Sequence, residues 1–256
     1  MAKRKKTKKE IEELSRVVQK HMQRERKGAG GLLAEVILGG QDGLVNVLGI
    51  VLGVASATND RFVVLVAGLV ATFAESVSMA AVAYASARAE ADHYHRELEQ
   101  EKWEIEHLPE VEMEEIRLIY LRKGYRGAQL AQMVKNTCSN KEMWLSVMMS
   151  EELGLSAPED AAPFRAAVIV GFSALVGSLL PLLPFLFLSV SDALLPSLAF
   201  STLVLFCVGA YKARITVGSW LKSGIEMALV GLLAALVGYF VGKLAGEFFG
   251  LKGLPS

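Results

Sequence analysis

The stretch FVVLVAGLVATFAESVSMAAVAYASARAEADHYHRELEQEKWEIEH, residues 62–107, decides the fold, because no proline or glycine interrupts it after Gly68. It predicts one long helix with two different halves. The first half, Phe62–Ala87, is apolar and longer than the roughly 20 residues that cross a bilayer. The second half is dense in charge, so it belongs in water. The stretch therefore predicts a membrane helix that continues into a water-exposed helical domain.

Four further apolar blocks predict membrane helices, in a chain of 256 residues of which 52% are hydrophobic. Pro181 and Pro184 fall inside one of these blocks and predict a kink or break there. No segment shows the alternation typical of a strand. The sequence therefore predicts an all-α membrane protein with five transmembrane helices, the other four being Leu32–Ala57, Phe164–Val190, Ala193–Tyr211 and Ile225–Phe249.

The hydrophilic segment between the second and third spans predicts a small helical domain. Its expected helices are the continuation of the second span as far as Pro109, then Glu110–Lys123, Ala128–Lys135, and NKEMWLSVMMSEELG at residues 140–154. The domain organisation that we expect is a basic segment at 1–31, transmembrane helices 1 and 2 at 32–87, the helical domain at 88–163, and transmembrane helices 3–5 with a short tail at 164–256.

Charge placement predicts the orientation, since positive residues concentrate in cytoplasmic loops. Residues 1–27 hold eleven Lys and Arg against four acids, and the loop after the fourth span carries Lys212, Arg214 and Lys222. The N-terminus and the 88–163 domain are therefore expected in the cytoplasm. The basic segment, with a helix over Lys8–Arg26, lacks the apolar core of a secretory signal, and beside a span it suits a lipid surface better than nucleic acid.

Three residues inside the first two spans are candidates for a translocation path. Asp42 lies among glycines about ten residues into its span, where an unpartnered charge costs on the order of 3 kcal/mol. Glu75 and Met79 are one turn apart and share a helix face. A carboxylate beside a thioether is a mixed hard and soft site that suits Fe²⁺ or a similar first-row ion. Packing for Met79 and a capping role for Asp42 are the structural alternatives.

The helical domain carries a second set of candidate ligands. Glu101 and Glu104 share one face of the long helix, and Glu112 and Glu115 are paired after the Pro109 break. Two such helices side by side would gather oxygen ligands for a divalent metal. Glutamates on a helix usually form a solvated face, but the nearby methionines Met148 and Met149 are soft ligands and favour a metal site. The full predicted metal set is Glu101, Glu104, Glu112, Glu115, Met148, Met149 and Glu152.

Other kinds of site fit less well. The Glu-x-x-His spacings ending at His93 and His107 match those of di-iron bundles, yet both lie on one helix and cannot face each other. Cys138 and Cys207 lie in such different settings that a disulfide or a cysteine zinc site is not expected. No catalytic triad, phosphate loop or dinucleotide motif stands out. A membrane-bound ferroxidase and a metal sensor or storage protein stay as alternatives to a transporter.

Three segments together resemble one family: GGQDGLVNVLGIVLGVASA at 39–57, AESVSMAAVAY at 74–84, and MMSEELGL at 148–155 after an acidic segment. In that combination the chain resembles the vacuolar iron transporter family over about residues 30–250. The resemblance implies a homodimer that moves Fe²⁺ out of the cytosol in exchange for protons. Mn²⁺, Zn²⁺ and Co²⁺ are expected as further ions, and no enzyme activity is expected. The membrane would be vacuolar, or the plasma membrane of a bacterium or archaeon.

The resemblance also assigns roles by position. Asp42 and Met79 resemble path residues, and the seven residues of the predicted metal set resemble the ligands of the cytoplasmic domain. One position departs from the pattern. Members often have a glutamate two turns before the path methionine, where this chain has Ala71, and Glu75 stands one turn away. Either Glu75 takes over that carboxylate's role from the same helix face, or the chemistry of the path and its proton coupling differ from those of the family.

Overall fold

The computed structural model describes residues 29–157, 163–215 and 218–250, and within these ranges all regular structure is helical. Among the described residues, five helical segments are long and apolar enough to cross a membrane, the third being Pro163–Phe187, and this confirms the predicted fold class. The helices are α1 (Ala29–Thr58), α2 (Arg61–His107), α3 (Pro109–Arg122), α4 (Gly127–Cys138), α5 (Lys141–Val147), α6 (Pro163–Leu179), α7 (Leu183–Phe187), α8 (Val190–Ile215) and α9 (Trp220–Phe248).

The chain divides into two compact units. Among the described residues, those in 29–81 and 167–250 form the membrane unit, and those in 82–166 form the acidic unit. Helix α2 contributes to both, because its 47 residues run without a break across the division. The predicted continuation of the second span into the helical domain is confirmed. The break comes at Pro109, which begins α3 at a position where its missing N–H is not needed.

Helices α1 and α9 pack backbone to backbone through small residues. A Cβ built on Gly53 would lie 2.8 Å from the Gly238 carbonyl oxygen, and one built on Gly238 would collide with the Gly49 carbonyl. Ser56 Oγ adds a hydrogen bond of 2.9 Å to the Tyr239 carbonyl oxygen. The four-residue spacings of Gly49 with Gly53 and of Gly238 with Gly242 are thus used for close helix packing within one chain.

Helix α1 meets α6 in the same way along a different face. A Cβ on Gly43 would lie 2.6 Å from the Ala174 carbonyl oxygen, and one on Gly177 would collide with the Gly40 carbonyl. Because α1 is held by backbone contacts on two faces, its rotation about its own axis is fixed. That rotation decides where the polar side chains of α1 are presented.

The predicted break in the third span is confirmed at the two prolines. Helix α6 ends at Leu179, a 3₁₀ turn covers Leu180–Leu182, and α7 follows. The carbonyl groups released near the break find donors in neighbouring helices. Ser197 Oγ donates to the Pro181 carbonyl oxygen at 2.7 Å, and the Arg61 guanidinium donates to the carbonyl oxygens of Phe185 and Leu186. These bonds remove the cost of unpaired backbone groups at membrane depth.

Several predicted boundaries were wrong by a few residues. The fourth span extends to Val190–Ile215, because Ser189 caps its start and Pro196 falls in an early turn of the helix. The fifth span begins at Trp220, earlier than predicted, because the polar residues before the apolar block are also helical. In the acidic unit, Gly127–Cys138 replaces the shorter predicted helix. The predicted helix Lys8–Arg26 lies outside the described residues.

The acidic unit has its own hydrophobic core, built by α2, α3, α4, α5 and the residue that follows α5, Met148. Its best-buried members are Ile116 and Met148, and the Tyr120 hydroxyl and Thr137 Oγ1 share a buried hydrogen bond of 2.8 Å. Asn140 caps α5 by accepting from the backbone N–H groups of Glu142 and Met143. The other core residues are Ile105, Ile119, Tyr120, Leu130, Val134 and Trp144.

We expect Gly238→Ala to destabilise the membrane unit strongly, because the new methyl group must push α9 away from the Gly49 carbonyl. The apparent melting temperature of the detergent-solubilised chain should fall by several degrees, as for other overpacked sites that lose about 1–3 kcal/mol.

Gly31→Ala is the matched control, since nothing lies within 4 Å of the position that its new methyl group would take on α1. Its melting temperature should stay or rise slightly, because alanine favours a helix over glycine by about 1 kcal/mol. Equal behaviour of the two variants would contradict the close α1–α9 contact.

Candidate functional site

Three carboxylates of the acidic unit lie together at the Pro109 break. Glu101 and Glu104 come from α2 and Glu112 comes from α3, and oxygen atoms of all three lie within 4.8 Å of one another. Glu101 is 5% exposed and Glu112 is 3% exposed, while Glu104 is half-buried. The break turns the chain so that residues on two helix faces converge. This carboxylate cluster is of the size that one divalent cation occupies.

Burial and mutual repulsion perturb this cluster. Burial raises the pKa of Glu112 to about 8 and that of Glu101 to about 7, and the neighbouring carboxylates contribute to both increases. One buried oxygen of Glu101 and one of Glu112 have no hydrogen-bond partner within the described residues. Two buried acceptors without donors are costly for the protein alone. A bound cation would supply the missing partner and the missing positive charge.

Glu115 and Glu152 lie near enough to act on the cluster. Burial raises the pKa of Glu152, and Glu115 raises it further by charge and by a side-chain hydrogen bond. Glu152 is the last residue of a π-helical turn, Met148–Glu152, that continues α5. Turns of this type are frequent at functional sites, and the sequence pattern did not predict this one.

The two methionines of the predicted metal set are buried in the structure. Met148 is fully buried and belongs to the hydrophobic core with Ile116 and Trp144, and Met149 is 3% exposed. The geometry thus gathers the carboxylates of the predicted set, while Met148 contributes to packing in this conformation. Thioether side chains are flexible enough for both uses.

In the membrane unit, one amide joins two of the predicted path residues. Asn46 Nδ2 donates to Asp42 Oδ2 at 3.3 Å and to Glu75 Oε1 at 2.9 Å. Asp42 and Asn46 are one turn apart on α1, and Glu75 lies on α2. Glu75 comes about 15 residues after the turn between these helices, roughly 20 Å into its span. Two carboxylates and an amide therefore meet at membrane depth.

The other residues near this point have distinct environments. Met79 is half-buried one turn beyond Glu75. Ala71 packs against the apolar cluster of the membrane unit, which contains Val51 and Phe185. A carboxylate at that position would face hydrocarbon side chains, whereas Glu75 has a hydrogen-bond partner. Glu35, two turns before Asp42, is half-buried.

Asn46 is the residue that sequence reasoning missed. The signal was available, because Asn46 follows Asp42 by four residues and an amide within a span needs a partner. Only the packing of α2 against α1 showed that Glu75 supplies it.

Comparison with known proteins gives a consistent result. A family model described as "VIT family" matches residues 33–243. "Vacuolar iron transporter 1" of Oryza sativa subsp. japonica is 33% identical over 216 residues, covering 84% of this chain and 86% of the relative. "Vacuolar iron transporter" of Toxoplasma gondii is 32% identical over 234 residues, covering 88% and 78%. "Protein CCC1" of Saccharomyces cerevisiae is 28% identical over 225 residues, covering 84% and 69%.

The raised pKa of Glu112 predicts that the metal-free acidic unit loses stability as the pH rises. Protonated Glu112 stabilises the fold, so this contribution is complete below about pH 4.5 and is lost as the pH passes about 8. Amides of α3 should be about tenfold less protected from hydrogen exchange at about pH 8.5 than at about pH 6, after correction for intrinsic rates.

Glu112→Gln should weaken that pH dependence, since glutamine imitates the protonated acid, whereas Glu101, whose pKa is also raised, keeps a smaller share of it. Glu114→Gln on the same helix is the control, because Glu114 is exposed and paired with Arg117. Roughly millimolar Mn²⁺ should restore protection near pH 8 in the unsubstituted chain. An unchanged pH profile in Glu112→Gln would contradict the assignment of this pH dependence to Glu112.

Proposed function

The chain belongs to the VIT family, so it is a membrane transporter of metal ions and not an enzyme, and from that premise we propose that it moves Fe²⁺ out of the cytosol in exchange for protons. The single observation that carries the proposal is the meeting of Asp42, Asn46 and Glu75 between two membrane helices. Charged groups at that depth are expensive unless an ion or a proton uses them. The named relatives are iron transporters, which favours iron as the cargo.

The first step that we propose is capture of the ion by the acidic unit in the cytoplasm. The convergence of Glu101, Glu104 and Glu112 supports this step, as do the unpartnered oxygens of the two buried members. Glu115 and Glu152 complete the oxygen shell, and Met148 and Met149 join it after a rearrangement of the π-helical turn. Oxygen ligands with a thioether favour Fe²⁺, with Mn²⁺, Zn²⁺ and Co²⁺ as further ions, over Ca²⁺ and Mg²⁺.

The second step is translocation along Asp42, Glu75 and Met79. The two carboxylates replace water around the ion, and the thioether adds a soft ligand one turn away. In the return half of the cycle, protonation of these carboxylates releases the ion and lets the empty site reset. Glu75 thereby takes the role of the carboxylate that other members have at the position of Ala71.

The protein acts as a homodimer in this proposal. In a single chain, Asn46 is exposed and Glu75 is only half-buried, although both lie in spans. A polar face at membrane depth needs water or protein beside it. Within one chain α6 and α9 occupy the glycine faces of α1 and α2 contacts part of its polar face, so a second copy would cover the part that stays exposed, which includes Asn46 and Ile50.

Transport into proteoliposomes tests the proposal. Wild-type protein should accumulate Fe²⁺, and an outwardly directed proton gradient should stimulate uptake several-fold. Glu75→Gln should lower gradient-driven uptake at least about tenfold, because the carboxylate can no longer exchange a proton for the ion.

Glu226→Gln is the matched control, since Glu226 is an exposed glutamate on α9 outside the proposed path. It should transport as the wild type does. Uptake that ignores the gradient would contradict antiport, and full activity of Glu75→Gln would remove Glu75 from the path.

Crosslinking tests the dimer. In a Cys138→Ser/Cys207→Ser background, Ile50→Cys should form a disulfide-linked dimer in membranes, because Ile50 lies one turn from Asn46 and is 42% exposed. Leu233→Cys on α9 is the control, being 62% exposed on a different helix. Equal crosslinking at both positions, or none at Ile50, would contradict the proposed interface.

A further inference from the structure

Asn46 occupies a chemically distinctive position in the membrane unit. A single atom, its Nδ2, donates to a carboxylate on its own helix and to a carboxylate on the next helix. The side chains of Asn and Gln are the only uncharged ones with two donors on one nitrogen. Both carboxylates are thus held by the same nitrogen atom. Without this donor, the two negative charges would repel each other inside the membrane span.

We propose that Asn46 is a positioning residue for translocation, which holds the Asp42 and Glu75 carboxylates at one separation so that they bind a divalent cation together. This inference rests on the proposed function, and it adds a residue that the predicted path did not contain. Asn46 acts through the two carboxylates.

The choice of an amide over other side chains follows from charge. A lysine at this position would neutralise one carboxylate and compete with the cation for the site. A leucine would leave two like charges close together in a low dielectric, which favours protonation of one of them and separation of the pair. An amide lowers the repulsion without adding charge, so the two carboxylates keep their full attraction for the ion.

A purely structural role for Asn46 is less consistent with its surroundings. Its side chain is exposed in the single chain, so its removal leaves no cavity in the packing of that chain. The packing of α2 rests on other contacts in the membrane unit. The hydroxyl of Thr72 reaches the Ser178 carbonyl oxygen at 3.5 Å, Gly171 closely approaches Ala80, and Gly68 contacts Leu182. Those contacts are independent of Asn46.

The chain offers a matched control on the same helix. Gln41 precedes Asp42 directly and lines an apolar cavity of about 660 Å³ together with Leu44 and Phe172. Gln41→Leu removes an amide at nearly the same depth as Asn46→Leu does, but on a different face of α1. The two substitutions therefore differ in whether the carboxylate pair loses its donor.

The experiment measures Mn²⁺ binding by electron paramagnetic resonance on the full chain in detergent. The background carries Glu101→Gln and Glu112→Gln, which removes the two buried carboxylates of the cluster in the acidic unit. In this background, Asn46→Leu should raise the Mn²⁺ Kd about tenfold, as expected when hydrogen bonds to charged groups are lost. Gln41→Leu should leave the Kd unchanged, and the melting temperatures of the two variants should agree.

A coupling test separates positioning from a general disturbance. Once Glu75→Gln is present, adding Asn46→Leu should have little further effect, because the partner that it positions is already neutral. An equal effect of Asn46→Leu with and without Glu75→Gln would overturn the proposal. So would an unchanged Kd in Asn46→Leu, or the absence of any Mn²⁺ binding in the background chain.

Uptake of Fe²⁺ by the same variants in an otherwise wild-type chain distinguishes this inference from the proposed function. Asn46→Leu should raise the KM about tenfold, with a smaller change in maximal rate. If wild-type protein moved no Fe²⁺ while Mn²⁺ binding still depended on Asn46, the proposed function would fail, and the role of Asn46 in positioning the carboxylates for cation binding would stand. Normal uptake kinetics in Asn46→Leu beside an active wild type would overturn only the role of Asn46.

Discussion

The cost of removing a carboxylate from water is the constraint on which both units depend. In the membrane unit the bilayer imposes it, and Asp42 and Glu75 reduce the cost by sharing the Asn46 amide. In the acidic unit the protein imposes it, by burying Glu101 and Glu112 among other acids. In both places the carboxylates are left with less stabilisation than water would give. In the proposed function a divalent cation supplies the difference, so the same constraint supports both the proposed capture site and the proposed translocation path.

The membrane unit meets this constraint by fixing the rotation of α1. Backbone contacts at Gly43 and Gly53 hold α1 against α6 and α9, and a Cβ at either position would push the helices apart. Because α6 and α9 occupy two faces of α1, the face that carries Asp42 and Asn46 is oriented so that Asn46 contacts Glu75 on α2. The glycines therefore act on the site at a distance, because they determine which side chains α1 presents to α2.

In the acidic unit, the helix break at Pro109 and the hydrophobic core hold the buried carboxylates in place. Pro109 ends the long helix, so that Glu112 on α3 returns to the face of Glu101 on α2. A hydrophobic core that includes Ile116 then holds the two helices together against the repulsion of their acids. The π-helical turn at Met148–Glu152 brings Glu152 near the cluster while Met148 stays in the core. The hydrophobic core of the acidic unit thus holds the helices that carry the carboxylate cluster, although the carboxylates repel one another.

Much of this protein could be predicted from its sequence, because apolar length, charge density and proline position act locally. Length and hydropathy determined the five spans, and the break at Pro181 followed from a missing backbone donor. Helical spacing was enough to predict that Glu101 and Glu104 of the predicted metal set share one face of a helix. What helical spacing cannot provide is the distance between helices.

Only the tertiary structure decided which of these residues meet. It brought Glu75 to Asn46, left Ala71 against apolar side chains, and joined the glycines of α1 to partners in the same chain. It also placed Met148 in the core of the acidic unit, which helical spacing alone does not predict. The physical reason is that the sequence sets the order of side chains along each helix, whereas the rotation and separation of helices depend on the simultaneous packing of all of them.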